Sequence, residues 1–250
     1  MRGHYVVAPF TADGGRLGCI VVAVPESAGD FSDRELRLLA GIAYQAKLAI
    51  TNAGTIESLE GTFFSTVEAL ANALEANDEY TSEHARWIRD MAMEVGEALG
   101  LDPPALKRLE LGALFHDIGK IGIPSTILSK PGRLTAEERA LMQTHPELGE
   151  RIIAPIERLE DVRPIVRSCH EHWDGSGYPD GKRGEEIPLE ARIILVCDAF
   201  HAMTTDRPYR KRLSTAEALR RLRQGAGSQF DPRVVEVYLR VLDSRARRAA

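Results

Sequence analysis

The stretch His116-Asp117-Ile118-Gly119-Lys120-Ile121-Gly122-Ile123-Pro124 decides how this chain is read. Imidazoles and carboxylates are ligands that Zn, Fe and Mn take from proteins. A histidine beside an aspartate can present two of them to one ion, and the two oxygens of Asp117 allow it to bridge two ions. Working outward, His84 lies upstream, and His145, Cys169-His170-Glu171, Asp174-Gly175-Ser176-Gly177-Tyr178-Pro179 and Asp198 follow. Of the 7 histidines, all but His4 fall between His84 and His201.

The segments that carry these residues read mostly as helices. Ile88, Met91, Ala92, Val95 and Leu99 form one apolar stripe, and Leu109, Leu111, Leu114 and Phe115 lead directly into His116. Thr135 caps a helix that carries Met142 and leads to His145, and Pro188 opens another that carries Ile193, Ile194, Val196, Cys197 and Asp198. On pattern alone that last run also suits a buried strand. The beginning of the chain differs. Leu17 to Val24 reads as a strand, Ser27 to Phe31 as a loop, and Ser32 with Glu35 as a capping box. Leu36, Leu38, Leu39, Ile42, Ala43, Ala46 and Ile50 then make a helical stripe, continued by Ile56, Leu59, Phe63, Val67, Leu70, Ala71 and Leu74.

In this order, His84, His116-Asp117, His145, His170-Glu171, Gly177-Tyr178-Pro179 and Asp198 resemble the HD-GYP family, a branch of the HD-domain phosphohydrolases. The flanks Thr81-Ser82-Glu83-His84, His145-Pro146-Glu147-Leu148-Gly149, Arg207-Pro208-Tyr209-Arg210 and Gln229-Phe230-Asp231-Pro232 carry the same resemblance. It implies a mainly α protein, an all-helical HD-domain bundle at 63–245, that hydrolyses cyclic di-GMP to linear pGpG, with GMP as a candidate further product. The strand, loop and helix at 1–53 resemble the end of a GAF sensory domain, too short for a complete one of roughly 150 residues, with 54–62 as a linker helix.

The resemblance also assigns roles. One divalent ion would take His84, His116, Asp117 and Asp198; a second would share Asp117 and take His145, with Cys169 and His170. Fe or Mn, with Zn as a further candidate, suits this set. A metal pair makes hydroxide from water and neutralises phosphate charge. Lys120, one turn from His116 and Asp117, would aim its ammonium at the scissile phosphate. Tyr178, with Gly177 and Pro179, would pack on a guanine or reach its phosphate, and Arg207 and Arg210 would contact phosphate. Cys169 stands where many members carry a second histidine; it reads equally as a thiolate ligand or as a small buried residue. Tyr80 stands where some members use a glutamate to hold a third ion, so two ions are expected. His172 and His201 read as residues behind the ligands or at the surface. The alternatives are a degenerate domain that binds a cyclic dinucleotide or a partner without turnover, and an HD phosphohydrolase for another nucleotide.

Composition fits this reading. At 44% hydrophobic and 28% charged, the 250 residues can bury a sizeable core. A net charge of -5 gives no support to a surface built to coat DNA or RNA. The 3 cysteines, Cys19, Cys169 and Cys197, form no Cys-x-x-Cys and suit a reducing cytoplasm. No run reaches the ~18 apolar residues needed to span a bilayer. Cyclic di-GMP, a second copy of the chain and signalling proteins are the expected partners.

Overall fold

The computed structural model describes residues 3–12, 15–75, 83–206 and 211–248. The chain divides into two units, Met1–Thr66 and Val67–Ala250. Tyr80, Arg207 and Arg210 lie outside the described residues.

The first unit opens with an antiparallel hairpin of β1 (Gly3–Ala12) and β2 (Arg16–Pro25). The register runs from Gly3 opposite Pro25 to Ala12 opposite Arg16. β2 was legible in the sequence; β1 was not. Its exposure alternates residue by residue along the whole strand. Apolar residues stand on both of its faces, however, and Pro9 interrupts the run, so the period of two is hidden. Phe10 lies opposite Gly18, where a Cβ would come within 2.5 Å of the phenyl ring. Helix α1 (Asp33–Glu75) starts at the expected capping box: Ser32 N donates to Glu35 Oε2 at 2.7 Å, and Glu35 N donates to Ser32 Oγ at 3.4 Å. Leu39 and Ala43 are its buried residues in this unit.

The second unit is helical: α2 (Glu83–Leu99), α3 (Pro103–Phe115), α4 (Ser125–Leu128), α5 (Ala136–Met142), α6 (His145–Ile153), α7 (Arg163–Ser168), α8 (Leu189–Thr204), α9 (Thr215–Gly225) and α10 (Pro232–Arg248). Local chemistry sets several starts. Asp102 accepts from Ala105 N at 2.9 Å ahead of Pro103-Pro104, Ser214 accepts from Glu217 N at 3.2 Å, and Thr135 and Glu138 form a full capping box.

The core joins Ile88, Met91 and Val95 of α2, Leu109 and Ala113 of α3, and Val234 and Tyr238 of α10 around α8. In α8 every residue from Ile193 to Cys197 is buried. A helix covered on all sides is apolar all round, which is why this run also reads as a strand. Arg245 and Arg248 lie in the last turn of α10. Arg245 Nε donates to Glu94 Oε1 at 2.8 Å and Arg248 Nη2 to Glu94 Oε2 at 3.3 Å. Among the described residues no helix is long and apolar enough to cross a membrane.

Candidate metal centre

Five segments of the second unit bring ligand atoms to one place. His84 comes from the first turn of α2 and His116 from the end of α3. Asp117 precedes a 3-10 turn at Ile118–Gly122, His145 opens α6, and Asp198 projects from α8. His170 follows α7. Two sets of three atoms lie within 4.8 Å of one another: His84, His116 and Asp117, and Asp117, His145 and His170. The carboxylate of Asp117 is shared. Its Oδ2 lies 3.3 Å from His116 Nε2, and its Oδ1 lies 3.4 Å from His145 Nε2 and 4.0 Å from His170 Nε2. Asp198 Oδ1 lies 3.5 Å from His84 Nε2. Ligands about 2.0–2.2 Å from one ion stand roughly this far apart from each other.

Four atoms of this cluster are buried and make no hydrogen bond: His116 Nε2, Asp117 Oδ1, His145 Nε2 and His170 Nε2. Orphaned buried polar atoms are rare because they are costly, and these four face each other. The opposite ring nitrogens are engaged. His116 Nδ1 meets Ala113 O at 2.7 Å, and His145 Nδ1 meets Met142 O at 2.8 Å. A carbonyl there can only accept, so each Nδ1 carries the proton and each Nε2 is left as a lone-pair ligand. The residues fit a metal.

Charge supports the fit. Burial pushes the His84 imidazole down to about 3 against the pull of Asp198. Burial and the neighbouring His170 push His145 down to about 3. For His116, burial opposes the charged form, yet the adjoining Asp117 outweighs it and raises the ring to about 9. A bound cation competes with that proton, because a ligand imidazole must be neutral. Burial opposes ionisation of Asp117, but Lys120 and His116 hold it well below the usual carboxylate range.

Close backbone packing makes the geometry possible. A Cβ on Gly119 would sit 1.8 Å from His145 O and 2.5 Å from Gly149 N, so only glycine lets the 3-10 turn press against the start of α6. A Cβ on Gly177 would lie 2.2 Å from His172 N and 2.5 Å from His170 O. The loop beyond is tied down from beneath. Buried Glu171 accepts from Asp180 N at 2.6 Å and Gly181 N at 3.1 Å through Oε1, and Arg167 holds Asp180 with two hydrogen bonds of 2.7 and 2.8 Å. Asp174 N donates to Ser228 O at 2.8 Å and Trp173 N to Gln229 O at 3.2 Å, which joins the Gly-Tyr-Pro loop to the Gln229–Pro232 segment.

Three of the residues singled out in the sequence have partners of their own. Cys169 lies in the apolar core, and its Sγ–H donates to Ile165 O at 3.0 Å. Burial, with Asp117 nearby, pushes its thiol well above its ordinary value, and neither set of three ligand atoms includes it. Lys120 Nζ pairs with Asp117 Oδ2 at 2.5 Å. Tyr178 stacks on His170, with centroids 5.2 Å apart and planes 13° apart, and meets His145 edge-on at 6.3 Å, so its ring packs on ligands. Glu171 was given no role in the sequence, and His201, read as a residue behind the ligands or at the surface, meets His84 Nδ1 at 2.7 Å. An acid directly after a ligand histidine, before a loop rich in free N–H groups, was the available signal for Glu171. For His201 it was its place one turn after Asp198 on the same helix.

Fold and site together define a helical domain that gathers histidines and aspartates from separate helices around a shared carboxylate. The chain belongs to the HD-domain family, whose profile matches residues 68–234. It is 41% identical over 177 residues to the cyclic di-GMP phosphodiesterase response regulator RpfG of Xanthomonas campestris, covering 70% of this chain and 47% of that protein. It is 37% identical to a cyclic di-GMP phosphodiesterase of Thermotoga maritima (73% and 50% covered) and 32% identical to 3'3'-cGAMP-specific phosphodiesterase 2 of Vibrio cholerae (84% and 41% covered). The chain thus spans about half the length, or less, of the relatives it matches. A solved cyclic GMP-AMP-specific phosphodiesterase of Vibrio cholerae, V-cGAP3, aligns with TM-score 0.57 and 25% identity over 71% of this chain and 48% of that one. An HDG"Y"P protein from Bdellovibrio bacteriovorus shares the fold, with TM-score 0.54 and 22% identity over 64% of this chain and 51% of that one.

Proposed function

We propose that the chain is a two-metal phosphodiesterase that opens cyclic di-GMP to linear pGpG, with GMP as a candidate further product. The observation that carries this reading is the set of four orphaned ligand atoms around Asp117, in a family whose relatives bear that activity in their names. His84, His116, Asp117 and Asp198 would hold one ion, and Asp117, His145 and His170 the other, with Fe or Mn the expected metals. Such ions supply hydroxide from water and neutralise charge on phosphate oxygens. The protein's part is positional. Nδ1 protons parked on Ala113 O and Met142 O keep two Nε2 atoms available, and Tyr178 and Gly177 hold the His170 segment. Lys120 adds a positive charge beside Asp117, where a phosphate oxygen would approach. Arg207 and Arg210 complete the reading as phosphate contacts taken from the sequence.

The same reading takes residues 1–53 as GAF-derived and a second copy as partner along α1. Leu38, Ile42, Ile56 and Leu59 are 64%, 49%, 57% and 61% exposed. Their steps of 4, 14 and 3 residues keep one heptad register, whose intervening positions are Gln45, Ala49 and Asn52.

Protein purified without oxygen, loaded with Fe or Mn and offered cyclic di-GMP and 3'3'-cGAMP separately, tests the function. Two ions per chain and pGpG as product are expected. Faster turnover of 3'3'-cGAMP would reassign the substrate to the class named for the Vibrio cholerae relatives. Nucleotide binding without product from either would mean a degenerate receptor.

A further inference from the structure

His84 differs from the other ligand histidines in what holds its far nitrogen. His116 and His145 lean on backbone carbonyls. His84 Nδ1 instead meets Nδ1 of another imidazole, His201, at 2.7 Å. One of the two must donate and the other accept. His84 Nε2 faces Asp198 Oδ1 at 3.5 Å and belongs to the set with His116 and Asp117, so that nitrogen needs its lone pair for a metal. The proton therefore sits on His84 Nδ1, His201 Nδ1 accepts it, and the proton of His201 sits on its own Nε2. Helix α8 thus flanks one ligand on both sides, with Asp198 at Nε2 and, one turn on, His201 at Nδ1.

The His201 ring is held in place. Trp87 packs against it with centroids 4.7 Å apart and is itself stacked on Phe200 at 6.1 Å. Thr205 Oγ1 donates to His201 O at 2.6 Å, closing the end of α8 beside it. In the other set, His145 leans on Met142 O and His170 is stacked on Tyr178.

We propose that His201 is a positioning residue that accepts the Nδ1 proton of His84 and so sets the affinity of one of the two metal ions, the one held by His84, without affecting the other. The inference rests on the metal-centre reading but not on any substrate. Outer partners of this kind change metal affinity about 10–100-fold.

The test is calorimetric titration of the metal-free full chain with Mn(II), for wild type, His201→Leu and His201→Asn, with denaturation of each metal-free protein alongside. Asparagine places an acceptor, Oδ1, where His201 has Nδ1; leucine places none. The expected result is one of two binding events weakened roughly 10–100-fold in His201→Leu and restored to within about 3-fold in His201→Asn. Unchanged binding in His201→Leu overturns the inference. So does equal weakening of both events in both variants with a parallel loss of stability, which would mark a merely structural role. No Mn(II) binding by the wild type would instead overturn the metal-centre reading itself.

Discussion

On one side of Asp117, the ligand histidine that opens α6 is set by backbone; on the other, the one in the first turn of α2 is set by side chains. His145 stands at the start of α6 with Met142 O behind it, and Gly119 lets Asp117's turn reach it at backbone distance. His84 depends on Asp198 and His201, two side chains of α8. A backbone-built half is rigid and indifferent to most substitutions except those that add a Cβ where none fits. A half built from side chains can be retuned one residue at a time, and this difference tells an experimenter where each half will break.

Asp117→Ala should have the largest effect because the carboxylate belongs to both halves. It should remove metal and turnover by more than the about 10–100-fold expected for an outer partner. Metal analysis and a hydrolysis assay check this, and retention of either ion at wild-type affinity would show that the halves do not share Asp117.

Gly119→Ala attacks the backbone half alone. Its Cβ meets backbone atoms, which cannot swing away as a side chain can. A loss of about 3 kcal/mol or more in the stability of the metal-free chain is expected, at the top of the range for overpacking. A denaturation midpoint within error of wild type would mean that the turn can withdraw from α6.

Acid should act on both halves and base on only one. His84 and His145 are held at about 3 against an ordinary 6.5, so between these values the unfolded chain binds more protons. Stability of the metal-free chain therefore falls on acidification from pH 6.5 towards 3. His116, raised to about 9, binds more protons in the folded chain, so its contribution is lost as pH rises from 6.5 to 9. Denaturation midpoints across this range should peak near pH 6.5, and a midpoint still rising through pH 8 would contradict the sign given for His116.

Cys169→Ala should have the smallest effect. Its thiol packs in the core, so about 1 kcal/mol of stability is expected to go, with the metal count unchanged. Loss of one ion would return the cysteine to the ligand set.

Much of the ligand cluster was legible because spacing and residue type carry it: a His-Asp pair, isolated histidines at helix edges, and an aspartate inside an apolar run that needs a partner when buried. The mainly helical fold was legible from apolar stripes of period 3.6 and from capping residues such as Thr135 and Ser32 with Glu35. β1 was hidden because apolar residues on both faces and Pro9 mask the alternation. The choice of helix for α8 came from the family resemblance, since a segment buried on all sides has no period to read.

The sequence by itself determined which residue types stand ready to hold metal, and in what order along the chain. Only the tertiary structure decided which atoms meet. It turned Cys169 into the core while His170, the next residue, joined the cluster, and it laid Tyr178 on His170. It also set His201 against His84 across 117 residues of chain. The physical reason is direction. A side chain's partner depends on where its Cα–Cβ bond points after the helices have packed, and that packing is settled by distant apolar residues rather than by the neighbours of the site.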